Sequence, residues 1–422
     1  MASKSDALVD GGQPGSCRSF LGGYESRMVL VTSLVISILA FDRLSTGYIG
    51  PYLIKAFQLT NTELGALYSI QAVAVAVFGY FFGRVSDATG RRKHLLVPML
   101  VIAAICSLGS LLVQTYLMLM VLRLAMGVAM GGISPITQSI LSSQSTPSRM
   151  GLNIGIQTLL MFLVSQMLGP IIFTRLAASW GWQAAYLASA LPFLLMALAV
   201  VWTVRDSSPA TGPSPATVPA PSEEDPASAD QQKTVVRNVW LCIGISSCFM
   251  LWLVVHSTFL PLFLVQVRGY SPTEAGAMLS VLGVAGCVGG LGLPMLSDHI
   301  GRRAALVVGM ALSLVVPLTA LFWTGPGWTL SVLFFLGWLS VGTLPIYAVV
   351  VPGESVCPTK VAATIALTIG AGEVIGGVAG PLLAGQLADS LGLASLFWFT
   401  CGAALTCLVL VMALEQPRER PK

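Results

Sequence analysis

Twelve runs of apolar residues, each long enough to cross a lipid bilayer as a helix, divide this sequence. They centre near residues 41, 74, 103, 129, 162, 193, 251, 284, 313, 340, 373 and 404, and a spanning helix takes about 20 mainly apolar residues. In hydrocarbon every backbone N–H and C=O must be satisfied by the protein itself, so a spanning segment is either a helix or part of a closed barrel. Barrel strands would be short and alternating; these runs are long and continuous. The composition agrees, with 55% of the 422 residues hydrophobic, 9% charged and a mean hydropathy of +0.82. A water-facing surface needs roughly a quarter charged residues, so lipid must be the main solvent.

The charges that remain are placed unevenly. Outside the runs, seventeen Lys and Arg fall on the side of the N-terminus under a twelve-helix reading, and three (Lys55, Arg175, Arg268) fall on the other. By the positive-inside rule both termini are expected in the cytoplasm of a cell carrying the chain in its inner (plasma) membrane. The polar first 26 residues lack a signal-peptide pattern. Residues 206–236, rich in Pro, Ala and Ser, have no apolar face to bury and read as a disordered cytoplasmic linker. The expected organisation is a tail (1–26), a six-helix bundle (27–205), the linker (206–236), a second six-helix bundle (237–414) and a short tail (415–422).

The two bundles repeat one another without a gap at an offset of 211 residues. Thr62, Glu63, Gly65 and Ala66 match Thr273, Glu274, Gly276 and Ala277. Ser86, Asp87, Gly90, Arg91 and Arg92 match Ser297, Asp298, Gly301, Arg302 and Arg303, and Gly169–Pro170 matches Gly380–Pro381. A single register held over six helices marks an internal duplication, which in a membrane points to alternating access around a site between the halves.

Gly83, Asp87, Gly90, Arg91 and Arg92, with the echo at Asp298, Gly301, Arg302 and Arg303, resemble the loop signature of the major facilitator superfamily. Arg123-x-x-x-Gly127-x-x-x-Gly131 resembles its helix-4 pattern. The resemblance covers the whole chain. It implies an all-α membrane protein of twelve transmembrane helices in two pseudo-symmetric six-helix bundles, with helices 1, 4, 7 and 10 around a central cavity. It also implies a gating use for Asp87 and Asp298, whose family counterparts hold one end of the molecule shut against helix ends of the other half. The arginines read more simply as an orientation signal, and Gly90 as the residue that permits a tight turn.

Ionisable groups inside spanning helices cost about 2.5–3.5 kcal/mol each at mid-helix on insertion scales, so they need partners or a wet cavity. Here they are Asp42 and Arg43 in helix 1, Arg123 in helix 4, His256 in helix 7 and Glu373 in helix 11. Neighbours on a helix point about 100° apart, so Asp42 and Arg43 cannot serve one direction. The Asp-Arg pair in ILAFDRLSTGYIGPYL resembles the helix-1 signature of the anion:cation symporter and spinster-like branches. That resemblance implies proton coupling at Asp42 and organic-anion binding at Arg43 and Arg123. Those relatives carry a Glu seven residues beyond the helix-4 Arg, where this chain has Met130, so a two-carboxylate relay lacks its second member. The alternative for Asp42 is a permanent ion pair with Arg123 or Arg43. His256 reads equally as a titrating group or a hydrogen-bonded packing residue. Glu373 reads as a second protonation site or, in the stripe Gly372, Gly376, Gly380, as part of a close helix contact. Tyr48, Gln71, Gln138, Gln157, Ser257 and Tyr347 are uncharged polar groups at depth that could shape a substrate site.

The chain has no GxxxxGK[ST] loop, no nucleophile–base or metal-ligand constellation and no extramembrane domain of enzyme size. Eight scattered cysteines, without CxxC spacing, read as small buried residues. The expectation is a secondary transporter, monomeric, with no cofactor, metal or nucleic-acid partner. It would move a small organic anion (a carboxylate, sugar acid or aromatic acid) inward with protons. The alternatives are export of an amphipathic, lipid-like or drug-like molecule, suggested by Met118, Met120, Met126 and Met130 in helix 4, and a transport-inactive receptor.

Overall fold

The computed structural model describes residues 23–204, 229–356 and 361–415. The side chain of Asp87 lies outside the described residues, as do the tails at 1–22 and 416–422 and the linker as far as residue 228.

Twelve helices long and apolar enough to span a membrane follow one another among the described residues. They are α1 (Tyr24–Tyr48), α2 (Asn61–Ser86), α3 (Arg92–Leu112), α4 (Tyr116–Gln144), α5 (Met150–Trp180) and α6 (Trp182–Thr203), then α7 (Thr234–Gln266), α8 (Pro272–Ile300), α9 (Arg302–Phe322), α10 (Gly327–Ser355), α11 (Ala363–Leu391) and α12 (Ser395–Met412). An even number of spans returns the chain to the end where it began, here the terminal end; α2 and α8 start at the far end. Helical backbone precedes α7 from Ala229, inside the stretch expected to be linker. The last proline before it is Pro226, and the Gln, Lys and Val that follow allow a helix to propagate.

The duplication reaches into the helix caps. Thr60 opens α2 with a capping box, its N–H donating to Glu63 Oε2 at 2.8 Å; Ser271 opens α8 with the same box to Glu274, also 2.8 Å. Gly90 and Gly301 turn the chain after α2 and α8 at φ +65° and +88°, conformations that penalise any side chain. In α5 and α11 the middle turns are π-helical, Leu163–Leu168 and Glu373–Ala379, each ending at a Gly-Pro. Proline lacks an N–H, and a widened turn redistributes the carbonyls left behind it.

These Gly-Pro positions set the contact between halves. Gly65 on α2 lies against the carbonyl of Pro381 on α11, and Gly276 on α8 lies against the carbonyl of Pro170 on α5. The two contacts are related by the same 211-residue offset. Nearer the far end, Asp389 closes the seam by accepting from the backbone N–H groups of Asn61 (2.8 Å) and Thr62 (2.9 Å), the Asn61 amide (2.8 Å) and the Thr62 hydroxyl (2.5 Å). Within each half, small residues bring helices together. Gly127 and Gly131 of α4 lie on Gln71, Ala74 and Gly79 of α2, and Gly372, Gly376 and Gly380 of α11 lie on Ser246, Met250 and Leu251 of α7.

Candidate functional site

Helix α1 stops at Tyr48 and resumes as a short helix, Gly50–Phe57, with Pro51 in its first turn. Just below this break α1 carries Asp42 and Arg43, and the structure sends them opposite ways.

Asp42 turns into its own half. Its Oδ2 accepts from Arg123 Nη1 at 3.3 Å, and both side chains are buried, at 0% and 1% exposure. The Arg123 guanidinium lies 3.8 Å above the centre of the Tyr186 ring, and the Tyr186 hydroxyl meets Thr46 at 3.1 Å. A cation on an aromatic face is favourable, more so when desolvated. The pairing is incomplete: Asp42 Oδ1 and Arg123 Nε have no hydrogen-bond partner, although Ser107 and Ser189 stand beside the carboxylate.

Arg43 crosses to the other half. Its Nη2 donates to Glu373 Oε2 at 2.7 Å and its Nη1 to Oε1 at 3.5 Å, a nearly bidentate fork. The pair lies deep among the helices beside Tyr68, yet 27% and 29% of its side-chain surface stays accessible. Glu373 is thus a cross-half partner at the first turn of the π segment, and α11 abuts α2 and α1 there: Ser69 donates to the Val378 carbonyl at 2.6 Å.

The remaining predicted residues fall into separate groups. Gln138 donates to Gln157 at 2.9 Å and borders a cavity of about 390 Å³ at the terminal end, shared with Gly83, Ser86, Pro135, Ser139 and Ser142. Gln71 meets the Met130 sulfur at 3.1 Å, at the position where a relay carboxylate is missing. Tyr48 donates to the Ser165 carbonyl at 3.3 Å and shares a small cavity with His256 and Ser257. Tyr347 is 1% exposed and packs edge-on to Phe249 at 5.8 Å in the second half. At the terminal end Arg302 gathers Asp298, Ser297 and Glu354, with Nε and Nη2 reaching Glu354 Oε1 at 3.2 and 3.1 Å. Arg92 bonds to Ser139 and Ser143, and Arg303 to the Met412 carbonyl. All of these stay within their own half. Arg91 supplies the N-cap position of α3.

Four residues that sequence reasoning did not single out complete these groups. Tyr186 and Tyr68 are tyrosines in apolar helices and carry no pattern that separates them from packing. Gln166, whose Oε1 accepts from Trp338 Nε1 at 2.8 Å, is a polar residue at depth and could have been found by the test that found Gln157. Asp389 sits too near a helix end to count as buried. No group of three or more metal-ligating side chains occurs among the described residues.

The cross-half contacts run from Asp389 through Gly65 and Gly276 to Arg43–Glu373 and the Cys287–Leu159 approach at 3.7 Å. Among the described residues these contacts lie between the far end and mid-depth, and the larger cavity, lined by α2 and α4 of the first half, lies beyond them at the terminal end. The molecule is therefore sealed at one end, with its central ion pair below the seal.

Comparison with known proteins agrees with this architecture. The chain is 26% identical over 360 residues to the multidrug resistance protein MdtG of Dickeya zeae, covering 83% of this chain and 84% of that one. It is 26% identical over 313 residues to the probable sulfoacetate transporter SauU of Cupriavidus necator, covering 68% and 71%. Among solved structures, a bacterial homolog of the human lysosomal transporter Spinster, inward-facing and unoccupied, superposes with a TM-score of 0.71 at 17% identity, over 95% of this chain and 97% of that one. The sequence model of the Major Facilitator Superfamily matches residues 32–371 and 295–422. With that match running through both halves and the segment between them, the chain belongs to the Major Facilitator Superfamily and is one of its multi-pass transporters.

Proposed function

We propose that this transporter carries a small organic anion inward together with a proton, with both termini in the cytoplasm. The observation that supports this best is the Arg43–Glu373 pair, which joins the halves at mid-depth while more than a quarter of each side chain stays accessible. Protonation of Glu373 would release the guanidinium, and an incoming carboxylate or sulfonate would replace it on the same fork. One proton then enters for each anionic group, and the site never holds an unpaired buried charge. Asp42 is the second candidate for the proton, but its guanidinium partner is enclosed in one bundle and cannot meet a substrate in this conformation. In this reading Arg43 is the anion contact and Arg123 holds Asp42. The asymmetry of Lys and Arg supports the orientation, and the likeness to SauU fits an anionic cargo.

The likeness to MdtG favours a second reading, export of an amphipathic or drug-like molecule. It is helped by the aromatic wall Phe249, Trp252 and Trp338 on the helices of the second half.

Proton flux in liposomes holding the purified protein separates the two. Pools of organic carboxylates and sulfonates are screened against pools of neutral and cationic amphiphiles, with Glu373→Gln and Asp42→Asn beside the wild type. An anion pool that drives proton entry, lost in Glu373→Gln, is the expected result. Proton movement with amphiphiles alone defeats the anion reading.

A further inference from the structure

The glycine that follows Glu373 by four positions on α11 lies against the ion pair for no reason that the packing supplies. We infer that Gly377 sets which acidic group the Arg43 fork accepts, and that it leaves room for the third oxygen of a tetrahedral head group such as a sulfonate. This rests on the anion reading above and narrows it to anions whose acidic group is larger than a flat carboxylate.

Gly377 is buried in the π segment that begins at Glu373. A β carbon built on it would lie 3.1 Å from Glu373 Oε2, 3.9 Å from Arg43 Nη2 and 4.0 Å from the Glu373 carboxyl carbon. Apart from the backbone of its own helix and its two chain neighbours, no atom stands nearer to that point than these three. Its neighbour Gly376 is different. A β carbon there would strike the Leu251 N at 2.5 Å and the Met250 side chain at 2.6 Å, so Gly376 is small to let α11 lie on α7.

Neither helix packing nor backbone conformation asks for the second glycine. Gly377 is not among the residues of positive φ. Its matched position in the π turn of the first half, 211 residues earlier, carries Gln166, so this turn takes a full side chain in the same register. Inside a helix glycine is less favourable than alanine, and what it leaves open at residue 377 is the volume beside the fork. More than a quarter of each partner's side chain is accessible there.

A carboxylate that takes the place of Glu373 is flat and sets both of its oxygens along the edge of the guanidinium. A sulfonate sets two oxygens there and carries a third, which stands out of the plane that a carboxylate would occupy. The open point at Gly377 is within contact distance of the oxygen on Nη2 and receives that third atom. A methyl group at Gly377 would fill it. A carboxylate and a sulfonate on one carbon skeleton each bear a single negative charge, so the site tells them apart by shape.

The test uses the full-length protein and two matched pairs of probes, propionate with ethanesulfonate and benzoate with benzenesulfonate. Each probe is measured by the proton entry it drives in liposomes and by the thermal stabilisation it gives the detergent-purified chain, which also reports whether a variant folds. Wild type should bind both members of a pair. Gly377→Ala should weaken the sulfonate relative to the carboxylate by about 10- to 200-fold, the discrimination that one methylene's worth of space gives in a binding site, while the carboxylate changes little. Equal weakening of both members, a wild type that binds carboxylates and rejects sulfonates, or a Gly377→Ala chain that does not fold each overturns the proposal and leaves the anion reading intact. If neither member of either pair binds to wild type and amphiphiles do, the anion reading fails and the role of Gly377 fails with it.

Discussion

Arg43 and Glu373 are 330 positions apart in the chain, belong to different halves of an internal duplication, and meet at 2.7 Å near the middle of the bilayer span. Neither has a charged counterpart at its matched position: 211 residues after Arg43 stands Val254, and 211 before Glu373 stands Phe162. The duplicated scaffold is symmetric, and the chemistry placed on it is not.

The first expectation concerns this pair's energy. Because more than a quarter of each side chain is accessible, solvent screens the attraction, and a coupling of about 1 kcal/mol is expected rather than that of a fully buried bridge. A double-mutant cycle of Arg43→Ala and Glu373→Ala, read by thermal unfolding in detergent, measures it. Both single variants should lose transport while keeping the fold. A coupling several times larger would mean that the pair is a structural rivet and not an exchangeable contact.

Asp42 and Arg123 should behave in the opposite manner. Both are enclosed, and removing one partner strands a buried charge, at a cost of about 3–5 kcal/mol. Arg123→Ala should therefore depress the unfolding temperature sharply. Arg123→Ala combined with Asp42→Asn should recover much of that loss, since no unpaired charge remains. Thermal shift on the three variants decides it; a double variant no more stable than Arg123→Ala would contradict the pairing.

Much of this arrangement is readable from the sequence, and the unread part has a physical reason. Twelve apolar runs fix twelve helices because lipid leaves the backbone no alternative, and the 211-residue register carries the matched turns at Gly90 and Gly301. Spacing also shows that Asp42 and Arg43 must diverge. It does not show which neighbour each finds, since helical periodicity names a face and tertiary packing names its partner. Glu373 illustrates the gap. Its glycine stripe does pack closely, on α7, but the π turn that begins at Glu373 leaves the carboxylate facing α1, and a π turn leaves no mark in a hydropathy pattern. The helix that leads into α7 starts earlier than the sequence suggests for a simpler reason: residues 229–233 are mostly polar, and with so little apolar surface to bury they look like linker even though they can form a helix.

Asp389 should act as the latch of the sealed end. Its carboxylate takes two backbone N–H groups at the start of α2, where the helix dipole favours negative charge, together with two side-chain donors. These bonds exist only while the far end is closed. Asp389→Ala should raise the population open at that end by roughly 5- to 30-fold, the effect of about 1–2 kcal/mol. Spin labels on α2 and α11 at the far end, read by pulsed distance measurement, report the shift. An unchanged distance distribution would remove Asp389 from the gate.

The symmetric glycine contacts lead to a sharper expectation, because two remote substitutions should produce one effect. A side chain at Gly65 would run into the Pro381 carbonyl, and one at Gly276 would meet the Pro170 carbonyl at 2.8 Å. Both carbonyls belong to helical backbone just beyond a π turn and cannot swing aside as a flexible side chain would, and at Gly276 the Thr174 hydroxyl, itself bonded to the Pro170 carbonyl at 2.6 Å, crowds the same space. The halves must part at the far end to admit the added atoms. Gly65→Val and Gly276→Val should each move the same pulsed-distance distribution toward opening, and the double variant should move it further than either alone. At Gly402 on α12 a β carbon would meet nothing within 4 Å, so Gly402→Val serves as the control and should leave the distribution unchanged. If only one of the two interface variants opens the far end, the halves do not rock as equivalent bodies, and the symmetry of the seam is architectural without being mechanical.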